Sequence, residues 1–416
     1  MDTRHSLSSL DYSFSPRQAL VGAQMLFVAF GALVLVPMLT GLDPNVALFT
    51  AGAGTLAFQA CTKGRIPIFL ASSFAFIAPI RYGMEHWGMS GTLCGIVAAG
   101  LSYLLVSLLI RMKGVDAVHK ILPPIVTGPI IMVIGLSLAP SAVNMALGKS
   151  GDGGLVFFPV AEALPVALIA LAATIVTSVY GKGLMKLIPI LTGIVAGYAA
   201  AFFFGMVNFE PVAGAVWVSS PGFTWPTWNL QAVILFVPIA IAPIIEHVGN
   251  VIAVSTVTGR DYTKDPGLHR TLLGDGIATS VAGVFGGPPN TTYAEVVSGI
   301  ALTRAFNPAV LTWTAICAIL LSFVSKLGAV LHSIPTPVMG GIMILLFGAI
   351  AVVGMNILVR AALDLMEPRN MAIVAVILVF GIGGMVFQAG DFVLEGIGLA
   401  GIVGVLMHLI LPGKEQ

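Results

Sequence analysis

Charge is scarce in this chain of 416 residues. Only 9% of them are Asp, Glu, Lys or Arg, against about 25% in soluble domains. With 57% hydrophobic residues and a mean hydropathy of +1.01, that scarcity excludes a soluble globular protein. A net charge of +1 leaves no basic surface to attract nucleic acid. Cysteine is nearly absent too. Cys61, Cys94 and Cys317 lie in or beside apolar runs without metal-ligand spacing, which excludes a disulfide framework. No HExxH, no GxSxG and no cluster of His and Cys occurs, so an intramembrane enzyme would lack its nucleophile, base or metal. No cofactor and no metal site is expected.

What is abundant is apolar sequence in long runs. Fourteen segments can be read, at 18–39, 45–61, 67–80, 88–110, 122–140, 155–179, 184–206, 230–254, 271–286, 290–302, 308–328, 336–357, 371–388 and 393–411. Most approach the ~20 residues a helix needs to cross ~30 Å of hydrocarbon. Two are short and polar-spotted, 67–80 and 290–302. The polar stretch from Met1 to Pro16 carries no cleavable leader, so the expectation is an all-α, multi-pass protein of the lipid bilayer. Alternating fourteen crossings from a cytoplasmic N-terminus puts sixteen Lys and Arg inside and only Arg81, Lys149 and Lys326 outside. That asymmetry supports the span number and places both termini in the cytoplasm.

The two halves echo each other. Pro124-Ile-Val-Thr-Gly128, with Gly135 seven residues on, recurs as Pro337-Val-Met-Gly-Gly341 with Gly348 seven on. Ser72-Ser73-Phe74-Ala75-Phe76 is matched by Thr291-Thr292-Tyr293-Ala294-Glu295, and each follows a proline, Pro67 or Pro288. Seven segments per half is an odd number, so the second copy must be inverted in the membrane. Inverted repeats with paired interrupted segments mark secondary transporters and point to the binding site.

The interruptions have a physical logic. Backbone in lipid must be bonded internally, so irregular chain at membrane depth is tolerated only when buried or lining a wet cavity. Pro288 and Pro289 stop a helix, and Thr291 to Tyr293 favour a short extended stretch. From Glu295 to about Thr303 a half-helix can run, its unpaired N–H groups and positive dipole end facing the bilayer middle. Ser72, Ser73 and Phe74 build the same feature from the other side. The result is a small polar pocket walled by Phe74 and Tyr293.

Glu246 and Glu295 are the deepest of the eighteen acids. A carboxylate there costs roughly 2.5–3.5 kcal/mol on insertion scales, so it marks function. Asn250 follows Glu246 by one helical turn and shares its face. His247 points about 100° away and reads as a packing or hydrogen-bonded histidine. Pro243 loosens the turn before Glu246. Asp275 and Glu162 sit nearer segment ends and read as structural.

These residues resemble the nucleobase–ascorbate transporter (xanthine/uracil permease) family, and within it the uracil-type branch. The matching stretches are FGALVLVP (30–37), GRIPIFLASSFAFIAP (64–79), EHVG (246–249), DPGLHR (265–270), PNTTYAE (289–295), ALTR (301–304) and PVMGG (337–341). The resemblance implies a core domain (18–120 and 230–328) and a gate domain (121–206 and 333–412), with short antiparallel strands in segments 3 and 10. It implies that Glu246 and Glu295 accept hydrogen bonds from ring N–H groups. Phe74 and Tyr293 would pack on the base, and backbone groups at Ala32, Phe74 and Ala294 would complete the contacts. It further implies a symporter of the bacterial inner membrane, importing a nucleobase by alternating access, with dimerisation common in the family. Uracil is the expected base. A xanthine- or guanine-type purine is the alternative within the same fold, and an inorganic anion fits two glutamates poorly.

Three positions depart from the family pattern. Asn250 stands where uracil-type members carry a histidine implicated in proton coupling. Val296-Val297-Ser298 replaces the usual Asn-x-Gly, and Phe347 replaces a tyrosine. Because an amide cannot titrate, the expected coupling group is Glu246, beside His247 and Asn250, with H⁺ as the ion and Na⁺ as the other candidate.

Overall fold

The computed structural model describes residues 9–114, 123–389 and 392–412. The expected placements of Arg4, Lys120 and Lys414, and the domain boundary at 120–121, lie outside the described residues. The first half begins with α1 (Ala19–Thr40) and α2 (Pro44–Cys61), then the strand β1 (Leu70–Ser72), a 3-10 turn (Phe74–Phe76) and α3 (Ile77–Lys113). It continues with α4 (Pro124–Ala146), α5 (Val160–Tyr180) and α6 (Pro189–Phe203), followed by the single turn α7 (Glu210–Gly214). The second half holds α8 (Leu230–Ile239), α9 (Ile241–Thr258), α10 (Leu268–Phe285), the strand β2 (Asn290–Thr292), α11 (Ala294–Thr303) and α12 (Pro308–Ser322). After a short α13 (Ser325–His332) come α14 (Thr336–Arg360), α15 (Pro368–Ile382), a hairpin of β3 (Val386–Ala389) and β4 (Phe392–Glu395), and α16 (Gly396–Ile410). Among the described residues, six helical stretches are long and apolar enough to cross a membrane, and five shorter apolar helices accompany them. The chain is therefore a multi-pass membrane protein.

Local chemistry sets most helix limits. Proline occupies the first turn of α2, α4, α6, α12, α14 and α15, where its missing N–H costs nothing. The Asp43 carboxylate caps α2 by accepting from the Asn45 N–H at 2.7 Å, and Asn307 caps α12 through the Ala309 N–H at 3.0 Å. Gly88 breaks α3 with φ 67°, at the position where a new segment was expected. Ala240 separates α8 from α9. Pro243 supplies the cause of that break, since it lacks the N–H that would bond the Ile239 carbonyl and its ring crowds that group.

Several expected segments need correction. The run 308–328 is not one helix. It stops at Ser322, Val324 bridges to Val218, and the Ser325 N–H donates to the Trp217 carbonyl at 3.2 Å before α13 starts. Hydropathy alone could not reveal that corner, because the residues on both sides are apolar. The run 371–388 ends as a helix at Ile382, where Gly383 and Gly384 (φ 64°) turn the chain into β3. The run 393–411 accordingly opens as strand β4, and its helix begins at Gly396. At the other edge α4 runs to Ala146, beyond the expected 140.

The strands expected in segments 3 and 10 are present and pair with each other, antiparallel, with Leu70 opposite Thr292, Ala71 opposite Thr291 and Ser72 opposite Asn290. All six residues are buried. Backbone groups beyond the ladder find partners as well. The Leu70 N–H donates to Thr55 Oγ1 at 2.9 Å, and the Ser73 N–H to the Pro289 carbonyl at 2.8 Å. Asn290 Nδ2 donates to the Thr50 carbonyl at 2.9 Å, and Thr279 Oγ1 to the Asn290 carbonyl at 2.8 Å. Irregular backbone survives at this depth because neighbouring helices satisfy it.

Helix pairing is dominated by α4 against α14. A Cβ added at Gly135 would stand 2.3 Å from the Phe347 carbonyl oxygen, and one at Gly354 would stand 2.5 Å from the Gly128 carbonyl oxygen. Small residues let two backbones touch where lipid gives no hydrophobic drive. Around this crossing, α14 packs on α5 and α4 on α15; α5 pairs with α6 and α15 with α16. In the other layer α10 packs on α3 and α2, α12 on α2 and α1, and α8 on α3.

Candidate functional site

The pocket forms where β1 and β2 hand over to helix. Tyr293 is extended (φ −121°, ψ 129°) and sits at the N-cap of α11, whose first N–H groups have no intrahelical partner. On the other side Ser73 is extended (φ −79°, ψ 125°) before the turn at Phe74. The two helix starts anticipated from the prolines and β-branched residues are both there.

Aromatic rings wall the space between them. The centroids of Phe74 and Tyr293 are 6.0 Å apart with planes at 60°, and Phe347 of α14 stands edge-on to Phe74 at 6.5 Å. The Tyr293 hydroxyl donates to the Ser72 carbonyl at 2.6 Å, which pins the ring to the opposite strand. Ala32, on α1, belongs to the same packed cluster as Phe74, Tyr293 and Phe347, and α1 lies against both β1 and α11.

Glu295 opens α11 as the residue after Ala294. Both are exposed to solvent, beside the space that the Phe74 and Tyr293 rings wall. Glu246, half-buried on α9, feels the charges of Glu295 and Asp275. The structure thus brings together Glu246, Glu295, Phe74, Tyr293 and Ala294, with Phe347 as a wall the family comparison had marked only by its missing hydroxyl.

Asn250 and His247 turn elsewhere. Asn250 is buried and spends its amide on β2, donating to the Thr292 carbonyl at 2.9 Å and to Thr292 Oγ1 at 3.2 Å. His247 is fully buried, and its Nδ1 lies 3.0 Å from Asp275 Oδ2. Asp275 is itself fully buried, in the middle of α10 rather than near an end. A segment starting at 271 would put this acid near its end; the helix begins three residues earlier, at Leu268, and the acid sits deeper. Glu162 is exposed in the first turn of α5, at a segment end as expected. The sequence signal for the pair is slight: one acid and one histidine, each within an apolar run.

Chemically, the cavity offers two carboxylate acceptors, aromatic faces and backbone N–H donors at a helix start. It suits a flat, uncharged molecule that carries N–H groups. It does not suit an anion.

A membrane permease is the class of protein to which this multi-pass helical architecture and its paired acids belong. A model described as a permease family matches residues 16–390. The chain belongs to the xanthine/uracil permease family of nucleobase–ascorbate transporters. It is 54% identical over 400 residues to a probable uracil permease of Haemophilus influenzae, spanning 96% of this chain and 95% of that one. To the uracil permease of Bacillus caldolyticus it is 48% identical over 403 residues, covering 94% and 91%. Among solved structures, the transmembrane domain of the cyanobacterial bicarbonate transporter BicA superposes with a TM-score of 0.66 at 15% identity, covering 94% of this chain and 96% of that one. At that identity the likeness concerns the fold alone.

Proposed function

We propose that this chain imports uracil across a bacterial inner membrane as a cation symporter, by alternating access. The observation that carries the reading is that Glu246 and Glu295 stand on α9 and α11, which pack together beside the walls formed by Phe74, Tyr293 and Phe347. Uracil presents two ring N–H donors, and a hydrogen bond to a charged acceptor contributes ~1.5–3 kcal/mol. Relatives named uracil permease along most of their length support the same substrate.

The inverted-repeat reading, with fourteen spans and both termini cytoplasmic, draws support from packing. Exchanging the first half for the second turns the contact of α3 with α10 into that of α12 with α2, and α8 with α3 into α1 with α12. It likewise exchanges α5–α6 with α15–α16 and α4–α15 with α14–α5, leaving the α4–α14 crossing at the centre. In this reading α1–α3 and α8–α12 form the core that carries the site. Helices α4–α6 and α14–α16 form the gate against which it moves.

Coupling follows from the two acids. Two carboxylates brought to one site at membrane depth call for a neutralising ion from solution, and H⁺ taken by Glu246 is the simplest. The Asn250 amide is occupied by Thr292 and has no proton to exchange.

The test is uptake of labelled bases into proteoliposomes under imposed H⁺ or Na⁺ gradients. Uracil should accumulate with an inward H⁺ gradient, unlabelled uracil should compete, and xanthine and sulfate should not. Glu295→Ala should abolish binding and uptake together. Wild-type uptake by that variant would remove the site, and competition by xanthine would move the substrate to a purine.

A further inference from the structure

One side of α6 is left partly bare by its neighbours. Leu191, Ile194, Tyr198, Ala199 and Phe202 recur every three or four residues and so form one stripe along the helix. Across from it stand Leu327, Val330 and Leu331 of α13, and Phe30 of α1 completes the lining. Gly31, beside Phe30, lets α6 come close, since a Cβ there would stand 2.5 Å from the Ile190 side chain. Together these helices form a groove of about 610 Å³. Every side chain along it is apolar or aromatic, and the hydroxyl of Tyr198 is spent on Ser333 Oγ at 2.7 Å. The groove is open, with Ala199, Phe202 and Val330 all exposed.

Its length and the chemistry at one end name the occupant. From Leu191 to Phe203 the stripe runs about 18 Å at the rise of an α-helix. One leaflet contributes about 15 Å, half of the ~30 Å hydrocarbon layer, so the groove has the length of a single acyl chain. Left empty, it would forfeit dispersion contacts along both walls, and in a bilayer a lipid tail is the molecule at hand to restore them. At the Phe203 end, Phe209 stands edge-on to Phe202 with centroids 5.9 Å apart and leads into α7. Lys326 lies here, one turn before Val330 on the same face of α13. Its Nζ donates to the Val212 carbonyl of α7 at 3.0 Å and stands 5.3 Å from the centre of the Trp217 ring. An ammonium has three protons to give, and among the described residues no carboxylate takes either of the other two. Glu210, the exposed acid that opens α7, is not paired with it. Trp217, Trp225 and Trp228 are exposed in the same connecting segment, as tryptophan is where a membrane meets water.

We propose that this groove is a phospholipid site, with one acyl chain laid along α6 and the phosphate held by Lys326. It shares no lining residue with the site of Glu246 and Glu295 and does not depend on the substrate reading.

Native mass spectrometry of the delipidated full chain tests it, by titration with palmitoyl-oleoyl phosphatidylglycerol, whose only charge is the phosphate, or with the diacylglycerol of the same chains. Wild type should take up one phosphatidylglycerol per chain, saturably, and bind the diacylglycerol about tenfold more weakly, because a hydrogen bond between charged groups is lost. Lys326→Ala should abolish that preference, weakening phosphatidylglycerol about tenfold and leaving diacylglycerol unchanged. Ala199→Trp, which fills the groove from an exposed position, should weaken both lipids by about tenfold or more. Val179→Trp, on an exposed position of α5, should weaken neither. Unsaturable uptake that no variant alters is the behaviour of boundary lipid only and would overturn the proposal. So would an Ala199→Trp protein that keeps its lipid and passes from dimer to monomer, since a second copy would then be the occupant. Should a variant fail to fold, wild type decides. A phosphatidylglycerol with a diazirine on its acyl chain should label peptides of α6 and α13 on illumination, and labelling spread evenly over all exposed helices would refute the site.

Discussion

Gly135 and Gly348 occupy matching positions in the repeated motif, yet alanine should act on them in opposite ways. A Cβ at Gly135 would lie 2.3 Å from the Phe347 carbonyl oxygen and 2.8 Å from the Ala351 nitrogen, both backbone atoms that cannot step aside. Reaching ordinary contact distance requires α4 and α14 to part by about 1 Å, which loosens close packing along the crossing. Overpacking of this kind costs ~1–3 kcal/mol, and more where backbone must move. At Gly348 a Cβ would meet nothing within 4 Å. There alanine should gain up to about 1 kcal/mol of helix propensity and intrude only on open space beside Phe347. Thermal melts of the detergent-purified variants check this directly. Gly135→Ala should melt well below wild type, and Gly348→Ala at or above it. The reasoning would be wrong if Gly135→Ala melted with wild type, or if Gly348→Ala fell as far as its counterpart. Uracil uptake adds a second readout, because Gly348→Ala should remain folded and alter KM if that open space belongs to the cavity.

Tyr293→Phe removes the hydroxyl that donates to the Ser72 carbonyl at 2.6 Å. It should cost ~1–3 kcal/mol through the buried acceptor left behind, while uracil Kd changes little because the ring wall stays. Melting and calorimetry on the same sample separate the two effects. Outside the membrane-spanning segments, Arg65 and Arg260 both contact Asp265, whose side chain is half exposed. Partial desolvation pushes the Asp265 carboxyl up, and the two guanidinium groups outweigh it and hold it below the usual carboxylate range. A lowered folded-state value stabilises above the unfolded value of about 4 and is lost as pH falls through the folded one. Asp265→Asn should therefore melt slightly below wild type at pH 7, less so in high salt, and the gap should close as the pH drops below about 4. A gap unchanged by salt and acid would show that the pair contributes no electrostatic stabilisation.

Much of this molecule can be read along the chain because membranes make local sequence informative. Apolar length specifies a spanning helix, and proline and glycine specify where it must stop, as at Gly88 and Pro288. Threonine and tyrosine after two prolines anticipated β2, and a lone acid in an apolar run marked Glu246 and Glu295. Reading along the chain failed where an apolar stretch turned a corner, at 322–325 and at 383–386, because hydropathy does not distinguish a helix from a strand of the same composition. What only the tertiary structure decided is which side chains meet. That Asn250 bonds Thr292, that Tyr293 reaches Ser72 across the strand pair, and that His247 finds Asp275 depend on helices distant in sequence. Such contacts arise from the rotation of one packed helix against another, and rotation is set by the jigsaw of all the neighbours at once.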